Sequence, residues 1–98
     1  MNRNGNDTRR ISSSYWMGDD TFVVEFDREL TTIEPLNKGD FNIIMVEYHK
    51  DEDKWVLYLE YYDADENYIE QTDDCFTEKQ REMYLSMAQL EYKRVTCG

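Results

Sequence analysis

The sequence predicts an α+β fold, and three observations carry that prediction. Two nine-residue stretches, Phe41 to His49 and Lys54 to Tyr62, are dense in Ile, Val, Leu, Tyr and Trp, the residues that suit a pleated, half-buried surface. Only Lys50-Asp51-Glu52-Asp53 separates them, so they read as an antiparallel hairpin. After Glu78 the apolar period lengthens to that of a helix, with no Pro or Gly before Gly98. With 98 residues there is room for one domain and one modest core. The expected architecture is a twisted antiparallel sheet of about four to five strands with one C-terminal helix packed across it.

Residues 1–14 are polar, carry a net charge of +2 and have Ile11 as their one apolar residue besides Met1. They read as a mobile polar tail, leaving 15–98 as the single domain. Tyr15-Trp16-Met17 opens the body and Gly18-Asp19-Asp20 turns it. Phe22, Val24 and Phe26 then alternate with Val23, Glu25 and Asp27, the signature of a half-buried strand. Leu30 to Ile33 reads as extended up to Pro35, which cannot donate to a ladder. Asn37-Lys38-Gly39-Asp40 is turn chemistry. Beyond the hairpin, Asp63 to Asn67 turns the chain into a weaker strand, Tyr68 to Thr72.

Thr77 caps the predicted helix, with Glu78 facing the positive end of its dipole. Glu78, Glu82, Ser86, Gln89 and Lys93 share a polar face. Met83, Tyr84, Leu85, Met87, Ala88, Leu90, Tyr92 and Val95 spread over more than half the circle opposite, wider than the stripe of about 100° that a surface helix needs. Such a helix lies in a groove, or covers the sheet and meets a partner as well. The sheet has the same excess: Phe41, Ile43 and Met45 lie on one face, Ile44, Val46 and Tyr48 on the other. One helix cannot cover both. Either the sheet curls round it and Tyr15 to Met17 covers the rest, or an apolar patch remains for a partner.

Charge narrows the function. The chain holds 22 acids against 11 Lys and Arg, a formal charge of −11. Such a surface repels phosphate, which excludes nucleic acid as a direct partner. Apolar runs such as Ile43 to Val46 and Trp55 to Leu59 fall far short of the ~20 residues of a membrane helix. Arg3, Arg9 and Arg10 are followed by no apolar stretch of the secretory kind. The expected location is therefore cytoplasmic, with no membrane contact. Residues 47–78 carry twelve acids and only Lys50 and Lys54, net −10. Spread along strands about 30 Å long, that density approaches the one charge per ~3.4 Å of a single nucleic-acid strand.

No catalytic set, metal site or cofactor is expected. Cys75 and Cys97 form no C-x-x-C pair and His49 is the sole histidine, too few ligands for structural zinc. A nucleophile built from either cysteine and His49 has no local signature, and surrounding acids raise a thiol's pKa. Asp63-Ala64-Asp65-Glu66-Asn67 matches the opening of a calcium loop, but Tyr68 stands where that loop requires Gly.

The expected function is that of a small acidic, non-enzymatic inhibitor or binding protein. It would occupy a basic, Lys/Arg-rich surface of a nucleic-acid-binding protein or nuclease. Phage anti-defence proteins of the anti-CRISPR or anti-restriction type, which imitate nucleic acid, and immunity proteins use such electrostatics. The expected binding residues are Glu47, Asp51, Glu52, Asp53, Glu60, Asp63, Asp65, Glu66, Glu70, Asp73 and Asp74, which steer association. Tyr58 and Tyr62 on the Glu60 face serve as anchors. The alternative is a structural or regulatory protein acting through an apolar helix or sheet face, as a homodimer that buries Leu85 and Tyr92.

Overall fold

The computed structural model describes residues 9–30 and 39–97. Most of the expected tail (1–8), the extension past Leu30 and the Pro35 stop lie outside the described residues. The elements run β1 (Ile11–Met17), β2 (Thr21–Phe26), β3 (Glu29–Leu30), β4 (Phe41–His49), a short 3-10 turn (Lys50–Glu52), β5 (Lys54–Tyr62), β6 (Tyr68–Thr72) and α1 (Glu78–Cys97). Every strand pairing is antiparallel, in the order β1-β2-β4-β5-β6. The short β3 lies against β4 on the side that β2 occupies, its register shifted by one residue. The fold is α+β, as the sequence predicts.

Four elements fall where the pattern places them. The hairpin β4–β5 runs in unbroken register from Phe41↔Tyr62 to His49↔Lys54. Asp53 closes its turn in the left-handed conformation, at φ 52°. β6 occupies Tyr68–Thr72. The helix begins with reciprocal caps: the Gln80 N–H donates to Thr77 Oγ1 at 3.0 Å, and the Thr77 N–H donates to Gln80 Oε1 at 2.9 Å. That capping box satisfies one orphaned donor of the first turn together with the cap's own N–H.

The first strand corrects the sequence reading. Ile11 to Ser14, assigned to the tail, belong to β1, which pairs with β2 through a bulge between Ile11 and Ser13. Tyr15 to Met17 are accordingly no cover over the sheet but the second half of its edge strand. β2 differs too, since Val23 on its supposedly exposed face is as buried as Phe22 and Val24.

Both faces of the sheet are packed. Under the helix, Phe22, Val24, Phe26, Ile44, Val46, Leu57 and Leu59 meet Tyr84 and Ala88. Tyr92 docks the C-terminal half of the helix by edge contacts to Trp16, Phe22, Tyr48 and Trp55, with ring centroids 4.9–6.1 Å away. On the other face Val23, Met45 and Tyr58 form a smaller cluster flanked by Ile43 and Val56. The helix lies across the sheet and is not enclosed in a groove: Leu90 is 67 % exposed. None of the described helices is long and apolar enough to cross a membrane.

Candidate functional site

The face of the sheet away from α1 is built by strand alternation. Glu25, Glu47 and Glu60 stand there on β2, β4 and β5, among Val23, Met45 and Tyr58. Antiparallel register sets Glu25 opposite Met45, Met45 opposite Tyr58, and Glu47 between Val23 and Val56. A tyrosine hydroxyl donates to each carboxylate: Tyr15 to Glu25 at 2.6 Å, Tyr58 to Glu47 at 2.5 Å and Tyr62 to Glu60 at 2.6 Å. These are short bonds of the charge-assisted kind. Burial first, and the neighbouring carboxylate second, push all three phenols well above the ordinary tyrosine range.

His49 Nε2 lies 3.1 Å from Glu47, while Glu25 and Glu60 meet no Lys or Arg among the described residues. Tyr15 and Glu25 were missed by the charge argument because they lie outside the acidic third of the chain. The signal was the alternation itself, which puts Glu25 on the face of Val23.

Besides Glu47 and Glu60 on that face, the expected binding acids are brought to three places. Asp51, Glu52 and Asp53 crown the β4–β5 turn, and Asp53 accepts a hydrogen bond from Tyr48 at 2.8 Å. Asp63, Asp65 and Glu66 form the β5–β6 turn at the opposite end, some 27 Å away along β5 at the rise of a strand. Glu70, Asp73 and Asp74 follow the outer edge strand and the segment after it. The acids therefore frame three sides of the β4–β5–β6 half of the molecule. They do not make a single ridge.

Glu47 meets His49, and Glu66 meets Arg28 at 3.5 Å. Lys50, one of the two bases in the segment, lies over the Trp16 ring, 5.8 Å from its centroid.

Some residues also have structural roles. The Asp63 carboxylate accepts the N–H groups of Asp65 and Asn67, both at 2.9 Å. The Asn67 backbone N–H is the main reason that its pKa lies below the usual carboxylate value. Glu66 sits at φ 68°, and Asp74 accepts from the Thr72 hydroxyl at 2.7 Å. Tyr58 is buried, so its ring is no ready anchor for a partner. Tyr62 is half-buried, stacked on Phe41 and edge-on to Tyr68. Tyr68 is the aromatic this corner exposes.

The remaining chemistry is placed just as plainly. Cys75 and Cys97 are unpaired thiols, and burial raises the pKa of Cys75. His49 makes its polar contact with Glu47, not with a thiol. No group of three or more His, Cys, Asp or Glu among the described residues is arranged to hold a metal ion. Leu85 is half-buried against the core and Tyr92 is held in the aromatic cluster, so the homodimer surface expected from that pair faces inward.

Comparison with known protein families, characterised proteins and solved structures finds no match to this chain.

Proposed function

We propose that this protein is a small acidic, non-enzymatic inhibitor that occupies the basic nucleic-acid-binding surface of a partner protein, as a nucleic-acid mimic does. The supporting observation is the framed half of the sheet. Residues 47–78 hold net −10, with Lys50 and Lys54 their only lysines or arginines. Fixing like charges on one rigid hairpin costs stability at separations below the Debye length of about 8 Å. A basic channel, which binds phosphates spaced along a strand, offsets that cost on contact. Acids on loops at both ends and along one edge steer the encounter, and the exposed Tyr68 offers a ring on which a partner's arginine stacks.

The test is affinity capture of basic proteins at low and high salt, followed by competition with duplex DNA and with RNA. A captured nucleic-acid-binding protein that either polymer displaces, and that high salt releases, is the expected result. Reversing Asp51, Glu52, Asp65 and Asp73 to Lys should abolish capture while leaving the turn made by Asp63 intact. Capture indifferent to salt, competitor and charge reversal would remove the proposal.

A further inference from the structure

Among the described residues, the outer edge of β1 is left open. Among the described residues β1 pairs with β2 alone, so alternate residues turn their N–H and C=O groups outward, a template for another strand. Edges of this length are normally blunted by a lysine, a proline, an inward charge or a β-bulge; β1 carries the last of these, between Ile11 and Ser13, which leaves residues 13–17 as regular strand. Ile11–Met17 has no charged residue and no proline, in a chain whose residues are 34% charged. The strand is also divided: Ser12, Ser13 and Ser14 make its first half, and the exposed Tyr15, Trp16 and Met17 its second.

We infer that β1 pairs antiparallel with β1 of a second copy, about a two-fold axis at Ser14, joining two sheets into one. In that register Ser13 lies opposite Tyr15 of the partner copy, so each aromatic half covers the other's serine half. Past the bulge the same pairing carries Arg10 toward the partner copy's Gly18-Asp19-Asp20 turn, opposite charges meeting at both ends. The axis is normal to the sheet and keeps both helices on one side.

On that side the edge strand is tied to its own helix. Ser14 Oγ donates to Glu91 at 2.6 Å, which turns Glu91 toward β1. Successive residues are about 100° apart on a helix, so Tyr92 turns down onto Trp16, Phe22, Tyr48 and Trp55, and Leu90, about 160° round the helix from Tyr92, points away from the sheet. The acidic edge β6 lies four strand spacings from β1, about 19 Å away. It is screened at that distance and left free at each outer end, so the pairing does not depend on the proposed function.

Sedimentation velocity across a concentration series should show a reversible dimer. Ser13→Lys should raise its dissociation constant about tenfold or more, a loss of ~1.4 kcal/mol, with the circular dichroism unchanged. Direct opposition of the two Ser14 residues gives Cα separations of about 4.5–5.5 Å, within disulfide range. In a Cys75→Ser, Cys97→Ser background, Ser14→Cys should therefore oxidise to a covalent dimer, and Ser86→Cys on the exposed helix face should not. A monomer at the highest attainable concentration overturns the inference. So does a dimer that tolerates Ser13→Lys and is not cross-linked through Ser14→Cys.

Discussion

Arg9 shows how far a side chain's role can depart from its surroundings in sequence. It stands in a run of Asn, Ser, Thr and Arg, yet its side chain is only 12% exposed. Its guanidinium donates to Asn42 Oδ1 at 2.7 Å and to the carbonyls of Asp27 and Asn42, both at 3.3 Å, and pairs with Glu29 at 3.3 Å. Its N–H donates to the Tyr84 hydroxyl at 3.2 Å. One residue thus ties the start of β1 to β4, the β2–β3 connection and the helix. Burial lowers its pKa, with Glu29 the largest opposing influence. Because hydrogen bonds to a charged group contribute roughly 1.5–3 kcal/mol each way they are lost, Arg9→Ala should destabilise the fold by about 2 kcal/mol. Thermal unfolding should move down by on the order of 10 °C.

The phenols of Tyr15, Tyr58 and Tyr62 make a second prediction of this kind. Their folded pKa values lie above the ordinary one near 10, because burial and then an adjacent glutamate disfavour the phenolate. The folded protein thus holds these protons more tightly than the unfolded chain. Their contribution is complete below pH ~10 and is lost as pH rises through the folded values. Tyr48, bonded to Asp53, is raised as well. Ultraviolet titration should therefore show a fraction of the eight tyrosines ionising late and together with alkaline unfolding. Eight phenolates appearing in one step near pH 10 with the fold intact would contradict the hydrogen bonds.

Among the elements, α1 and the β4–β5 hairpin were legible because each advertises itself locally. The helix has a capping residue, a polar face and no breaker. Thr77→Ala removes one half of the reciprocal cap and should cost about 1 kcal/mol, measurable by urea unfolding with an unchanged slope. β1 was illegible for an equally local reason: three serines in a row carry no strand signal, and what makes them a strand is the ladder that β2 offers.

Glycines separate the same two kinds of information. Gly18 and Gly39 both have positive φ, 77° and 91°, and both look like turn residues in sequence. A Cβ at Gly18 meets nothing within 4 Å, whereas one at Gly39 would lie 2.5 Å from the Tyr62 carbonyl oxygen and 2.7 Å from Ile69 Cδ1. Gly18→Ala should cost roughly 1 kcal/mol for its backbone alone. Gly39→Ala should cost clearly more, because the backbone of β5 cannot step aside.

For the molecule as a whole, charge distribution is the feature that binding experiments can read. Steering by acids at both ends of the hairpin predicts an association rate with the basic partner that falls as salt rises, with a much smaller change in dissociation. The reversal of Asp51, Glu52, Asp65 and Asp73 should slow association at low salt by an order of magnitude or more, as stopped-flow mixing would measure. Asp63 is the wrong residue to reverse, since its carboxylate holds its own turn, and Glu47 would take Tyr58 with it.

Composition and periodicity were enough for the fold class, the hairpin and its turn, the last strand, the helix with its cap, and the concentration of acid in one third of the chain. Each of these depends on neighbours within a few residues, or on a sum over residues that no folding can alter. Only the packed chain decided that Arg9 is embedded, that β1 is an edge strand, that Glu25 joins Glu47 and Glu60 on one face, and that Tyr58 is buried while Leu90 is not. Those properties arise between residues up to 75 positions apart in the chain. They are set by which strands lie side by side and where the helix crosses them, and local patterning carries no record of either.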